Sequence, residues 1–133
     1  MLHYYDAAAT TPTHPLVVEA MLPYFTEIYG NTSSNHEFGK LALAAVEKAR
    51  EQVAELLNVF PDEVIFTSGA TEAINLGIFG YWLANRSKGN HIITIATEHA
   101  AVLNTCSNLE QFGAEITRLT VDKFGQIDYD ELE

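Results

Sequence analysis

The sequence predicts an α/β fold, and three observations carry that prediction. Runs rich in β-branched residues, with little polar alternation, stand at residues 64–67, 91–95 and 115–121. Between them lie stretches whose apolar residues recur at helical spacing, and glycine, proline or asparagine marks most junctions. Strand, helix, strand, helix, strand makes two βαβ units, whose right-handed crossovers set the strands parallel. The 133 residues suit one domain and one core, with 47% hydrophobic and 19% charged residues.

In chain order, Thr13 and Pro15 open a helix, because a proline in the first turn removes no hydrogen bond the helix needs. Val17, Val18, Met21, Leu22 and Phe25 give it an apolar stripe, and Gly30 ends it. Residues 30–39, GNTSSNHEFG, favour bonds to their own backbone and read as a loop. A second helix spans about residues 40–58, with Leu41, Ala45, Val46, Ala49, Val53, Leu56 and Leu57 on one face. After the Pro61-Asp62 turn comes the strand at 64–67, then a helix carrying Ile74, Leu76, Ile78, Phe79 and Trp82 to about residue 86. The next strand is 91–95, the next helix about 101–112, and the third strand 115–121. Asp128 followed by Glu131 has the form of a capping box, yet the chain stops two residues later. A first turn with nothing to propagate it is unstable alone, so the chain is expected to continue or to need a second chain. The expected organisation is one domain over 1–133: an N-terminal segment and helix (1–30), a loop and helix (31–58), and a βαβαβ region (59–133).

Seven Lys and Arg against 18 Asp and Glu give a net charge of -11, which offers no electropositive footprint for nucleic acid or an anionic membrane. The longest uncharged run, 73–85, is 13 residues, too short to span a bilayer. The first residues, Met1-Leu2-His3-Tyr4-Tyr5-Asp6, lack the basic start and apolar stretch of a secretory signal. One cysteine, Cys106, excludes an internal disulfide framework, and a cytoplasmic location is expected.

The strongest chemical signal is Thr67-Ser68-Gly69-Ala70-Thr71-Glu72, a strand end passing through a glycine turn into a helix. Such a junction aims free N–H groups and the positive end of the helix dipole at one spot, with the hydroxyls of Ser68 and Thr71 beside it. An anion suits it, a phosphate above others. The spacing lacks the three glycines of the dinucleotide fingerprint and the lysine of the nucleoside triphosphate loop. The alternative is that Ser68 or Thr71 simply caps the helix. At the end of the next strand, Thr97-Glu98-His99 sets a histidine where ligands gather in open parallel sheets. His99 can stack on an aromatic ligand or exchange protons; alternatively, it bonds a local carbonyl at a helix start. Cys106 sits among Val102, Leu109 and Phe112 at helical spacing and reads as an inert core thiol. His36 and Glu37 have no further ligand at metal spacing, so no metal site is expected.

Four segments together resemble one family over the whole chain: Tyr5-Asp6-Ala7-Ala8-Ala9-Thr10-Thr11-Pro12, the loop from Gly30 through Asn31, Ser34 and His36 to Gly39, Val64-Ile65-Phe66-Thr67-Ser68-Gly69-Ala70-Thr71-Glu72, and Thr97-Glu98-His99. They stand in the order seen in cysteine desulfurases, pyridoxal-phosphate (PLP) enzymes on the class V aminotransferase branch of fold type I. Two departures are Thr32, where the family usually has Pro, and Ile74, where Asp, Ser or Asn is frequent. The resemblance implies the N-terminal part of a fold type I large domain, a mostly parallel sheet flanked by helices and incomplete as given. It implies that Ala70 and Thr71 bind the PLP phosphate, that His99 stacks on the pyridine ring and helps move protons, and that the Ala-Thr-Thr segment and the 31–36 loop lie near the active site of a homodimer.

The implied activity is conversion of L-cysteine to L-alanine, with the sulfur passed on as an enzyme persulfide to acceptor or scaffold proteins for iron–sulfur cluster or other cofactor assembly. The family's Schiff-base lysine, ring-nitrogen aspartate and persulfide cysteine all come later in the chain. Lys40, Lys48, Lys88, Lys123 and Cys106 match none of them. The isolated chain is therefore expected to be inactive and to hold PLP weakly. A selenocysteine lyase or another class V aminotransferase would share these motifs, and a non-catalytic fragment complementing a second chain is the reading from a different class.

Overall fold

The computed structural model describes residues 3–132. The readings made on Met1 and Leu2 as a leader, and on the chain end at Glu133, lie outside those residues. Two compact units are present, Met1–Ile65 and Phe66–Glu133, and each is described by itself. Among the described residues no helix is long and apolar enough to cross a membrane.

In the first unit, helix α1 (Pro15–Met21) starts at His14, whose Nδ1 accepts from the Leu16 N–H at 3.3 Å, with Pro15 in the first turn. The expected single helix to Gly30 is instead broken: Pro23 opens a second, one-turn helix, α2 (Pro23–Thr26). A proline inside a helix removes a backbone donor and crowds the preceding turn, a signal the apolar stripe had masked. The stripe itself is open, with Val17, Val18, Met21, Leu22 and Phe25 all exposed.

Helix α3 (Glu37–Leu57) begins three residues earlier than its apolar pattern predicts. His36 supplies the cap, its Nδ1 accepting from Gly39 N–H at 3.3 Å, and Glu37 lies favourably in the first turn against the helix dipole. His36 to Gly39 are thus a helix start rather than loop. The loop before it folds onto that turn: a Cβ on Gly39 would stand 2.3 Å from the Ser34 carbonyl oxygen and 2.7 Å from that of Asn31, so only glycine permits the approach. The helix buries small residues, Gly39, Ala42 and Ala54, while Leu41, Leu56 and Leu57 from the expected apolar face are exposed. Asn58 closes it in the left-handed conformation, φ 55°.

A 3₁₀ turn (Pro61–Glu63) follows, and the strand expected at 64–67 does not form. Val64 directs its N–H to the Pro61 carbonyl at 3.2 Å, and its own carbonyl accepts from the Arg50 guanidinium. Backbone groups so engaged are not available to a sheet ladder.

In the second unit, helix α4 (Ala70–Asn85), strand β1 (His91–Ile95), helix α5 (Ala100–Gln111) and strand β2 (Glu115–Leu119) form one βαβ crossover preceded by a helix. β1 and β2 pair in parallel, in register from His91 with Glu115 to Ile95 with Leu119. The sheet therefore has two strands where three were expected. β2 stops at Leu119 rather than 121, because Val121 bridges Ile127 in the antiparallel sense across a turn held by Asp122, whose Oδ1 accepts from Phe124 and Gln126 N–H at 2.8 and 3.0 Å. The last element, α6 (Tyr129–Leu132), has the Asp128 half of the expected capping box, an Asp130 N–H to Asp128 Oδ1 bond of 2.9 Å.

The core of this unit is Trp82, Leu109 and Ala114, with Ile78, Phe79, Ile92 and Ile116 packed against it. Leu109 is fully buried, which contributes about 1.5–3 kcal/mol. Thr105 and Cys106 are buried on the same helix, and Thr105 satisfies its hydroxyl on the Ala101 carbonyl at 2.8 Å. Gly113, at φ 91°, ends the crossover and admits the turn into β2.

Candidate anion site at the start of α4

Helix α4 begins at Gly69, a cap residue that brings no side-chain acceptor. Its first intrahelical bond runs from Ala73 N–H to the Gly69 carbonyl, 3.1 Å. The N–H groups of Ala70, Thr71 and Glu72 are therefore the orphan donors that every helix start carries. Space above them is open, since a Cβ built on Gly69 would meet nothing within 4 Å. Partial positive charge and unused donors make this turn a receptor for an anion.

The two hydroxyls expected there behave differently. Ser68 is turned away from the helix axis donors: its N–H and Oγ both donate to Glu72 Oε2, at 2.7 and 2.6 Å. Those bonds hold the Glu72 carboxyl below the usual carboxylate range. Thr71 lends its carbonyl to Asn75 Nδ2 at 2.8 Å and keeps its N–H at the exposed turn. Neither Ser68 nor Thr71 caps the helix with its hydroxyl, so the simple capping alternative is not what the chain adopts. Glu72 was missed in sequence. Its signal is position N3 after the Gly69 cap, the place from which a glutamate reaches back to a free N–H.

His99 is the cap of α5. Its Nδ1 accepts from the Ala101 N–H at 3.1 Å, rather than donating to a carbonyl as the local alternative had it. An accepting Nδ1 assigns the proton of the neutral ring to Nε2 and fixes the ring's edge against the helix. The ring is exposed immediately beyond β1. At the far end of α4, Arg86 Nη2 donates to the Phe112 carbonyl at the end of α5, 3.0 Å, and the Phe79 ring further back in α4 meets the Phe112 ring at 5.7 Å. Both helices thus finish together and start toward the end of the unit where β1 stops, which brings Ala70, Thr71 and His99 to one end. That is the carboxyl-end position at which open α/β sheets take ligands.

Other chemistry is sparse. Among the described residues no three His, Cys, Asp or Glu gather as metal ligands. Cys106 is fully buried, and burial pushes its thiol up. A cavity of about 760 Å³ lies in the first unit between Leu16, Met21, Tyr24, Ile28, Ala45 and Gln52, lined mostly by aliphatic and aromatic side chains.

Known proteins resemble this chain over nearly all of its length. The cysteine desulfurase IscS of Methanosarcina thermophila is 52% identical over 129 residues, 97% of this chain and 32% of that protein. A solved structure described as a NifS-like protein superposes with a TM-score of 0.89 at 39% identity, covering 99% of this chain and 36% of the other. Another, described as SspA in complex with cysteine, gives 0.85 at 39% identity over 97% and 37% of the two chains. The chain thus spans about a third of the length of the relatives it matches. The family profile of class-V aminotransferases matches residues 3–133, and on that match the chain belongs to the aminotransferase class-V family.

Proposed function

We propose that this chain is the phosphate-holding part of a PLP-dependent cysteine desulfurase, which converts L-cysteine to L-alanine and passes the sulfur on as a persulfide. The observation that carries the reading is the start of α4, where Gly69 leaves the N–H groups of Ala70 and Thr71 uncapped under open space. These donors fit a phosphate, and the exposed His99 ring at the same end fits an aromatic cofactor face. When bound, PLP supplies the electron sink that lets bonds at the substrate α-carbon and the cysteine side chain be rearranged.

The chain's own residues do the rest of the work assigned here. Ala70 and Thr71 donate backbone N–H bonds, Thr71 with its hydroxyl beside them, and so orient the phosphate end. His99 would stack on the pyridine ring, and its Nε2–H would hold a proton at that end of the unit. In this reading residues 1–133 are the N-terminal portion of one PLP-binding domain. By family resemblance the Ala9-Thr10-Thr11 segment and the loop from Asn31 to His36 belong near the active site of a homodimer, and sulfur-acceptor proteins and a cytoplasmic setting follow from the same family. Support comes from the named relatives, from the cysteine-bound solved structure with a similar fold, and from the absence of a long apolar helix among the described residues. The test is alanine release from L-cysteine by the full-length protein reconstituted with PLP, with sulfide released when a thiol reductant is added to reduce the persulfide. Release abolished by His99→Ala is expected, and no release from the unaltered protein overturns the reading.

A further inference from the structure

The pair of bonds between Ser68 and Glu72 bears on how the anion site is kept open. A serine one residue before a glycine cap can itself become the cap: α4 would lengthen by one residue, and the Ser68 hydroxyl would accept from Thr71 N–H, three positions on. That bond would consume one of the donors the phosphate needs. In the structure it is not made. Glu72 Oε2 takes both the Ser68 N–H and the Ser68 Oγ hydrogen, at 2.7 and 2.6 Å, which turns the hydroxyl into a donor facing the carboxylate. A bond of this length to an ionised acceptor is of the stronger, charge-assisted kind.

We propose that Glu72 is a positioning residue for the phosphate: by holding Ser68, it prevents that serine from capping α4 and so keeps the Thr71 N–H free for the anion. The proposal rests on the PLP reading above. The lowered carboxyl of Glu72 agrees with it, because the carboxylate stays ionised and accepting throughout the neutral range. Electrostatics alone argues the opposite sign. Glu72 puts a negative charge in the first turn, so its removal should by itself strengthen binding of an anion. A loss of affinity on removing it therefore reports the release of Ser68.

The experiment measures dissociation constants of pyridoxal phosphate and of phosphate-free pyridoxal by equilibrium dialysis, on the full-length protein. For Glu72→Ala, pyridoxal phosphate should bind about tenfold more weakly, the effect of one lost hydrogen bond to a charged group, with pyridoxal unchanged. Glu72→Gln, which keeps an acceptor for Ser68, should bind like the unaltered protein or more tightly. The double change Glu72→Ala with Ser68→Ala should restore affinity, and Ser68→Ala alone should leave it within about twofold. Failure of the double change to restore binding overturns the positioning role while leaving the PLP site intact. Equal affinity of the unaltered protein for pyridoxal phosphate and pyridoxal overturns both.

Discussion

The indole Nε1 of Trp82 donates to Asn90 Oδ1 at 3.0 Å, joining the last turns of α4 to the entry of β1. Asn90 bonds onward as well: its Nδ2 donates to the Gly113 carbonyl at 2.6 Å and its backbone carbonyl accepts from Glu115 N–H at 2.9 Å. Arg86 lies 4.7 Å over the same indole. One amide side chain thus ties the starts of both strands to the buried tryptophan. Asn90→Ala strands the indole donor at a site only 5% exposed, and should lower stability by about 1–3 kcal/mol. Trp82 is the sole tryptophan, so its fluorescence during urea unfolding reads the loss directly; an unchanged midpoint would contradict the network.

The His99 cap and the proposed ring contact are separable. His99→Ala should remove both, lowering stability by about 0.5–2 kcal/mol through the lost cap. His99→Asn restores a capping oxygen without a ring. Thermal unfolding should therefore return to the parental value in the Asn variant, while the proposed desulfurase activity, assayed on the full-length protein, stays lost. Activity retained in the Asn variant would show that the ring has no part in the reaction.

Glu110 and Arg118 form a forked pair, Nη1 to Oε1 at 2.9 Å and Nη2 to Oε2 at 2.8 Å. The pair holds the Glu110 carboxyl below its usual range and the Arg118 guanidinium above its own. A lowered carboxyl contributes stability above its unfolded value, and the contribution disappears as pH falls through the folded one. Glu110→Gln should therefore lower the urea midpoint at pH 7 and converge with the unaltered protein as the pH falls through the lowered folded-state value. Because the pair is solvent-exposed, added salt should also narrow the gap.

Cys106 is fully buried and its thiol is raised by that burial. Ellman's reagent should react with it at least about a hundredfold more slowly in the folded chain than in guanidinium, since thiolate is the reactive form and access is closed. Prompt reaction of the native protein would show that α5 opens readily.

Gly39 admits no side chain, its would-be Cβ lying 2.3 Å from the Ser34 carbonyl oxygen. Gly39→Ala should lose about 1–3 kcal/mol as the 31–34 loop is pushed from α3, seen as a lower melting temperature. The same change at Gly77, where nothing lies within 4 Å, should be neutral or stabilising.

Legibility of the fold followed how local each determinant is. β1 could be read residue for residue from His91-Ile92-Ile93-Thr94-Ile95, and α5 and the end of α4 to within about a residue, because strand propensity and helical spacing act over short windows. The strand at 64–67 was misread: its composition is right for a strand, but pairing depends on partners far along the chain, and Val64 is engaged by Pro61 and Arg50 instead. Pro23 was overlooked under an apolar stripe, although its effect on a helix is local and strong. At the anion site, a glycine turn with several free N–H groups was legible from helix-start chemistry, whereas Ala70 and Thr71 were singled out only by the family resemblance. The Ser68 hydroxyl was not legible, since a sequence shows which groups can donate but not which acceptor takes them, and Glu72 took it.

His14, His36 and His99 each begin a helix with Nδ1 turned to a backbone N–H, at 3.3, 3.3 and 3.1 Å. A nickel or copper affinity resin would therefore meet three imidazoles whose only outward nitrogen, Nε2, carries the proton. To bind the resin, each ring must give up that proton or release its helix. Three of the chain's five histidines are thus poor handles for metal-affinity capture while the helices hold, and retention that rises as the chain unfolds would measure those three helix starts letting go.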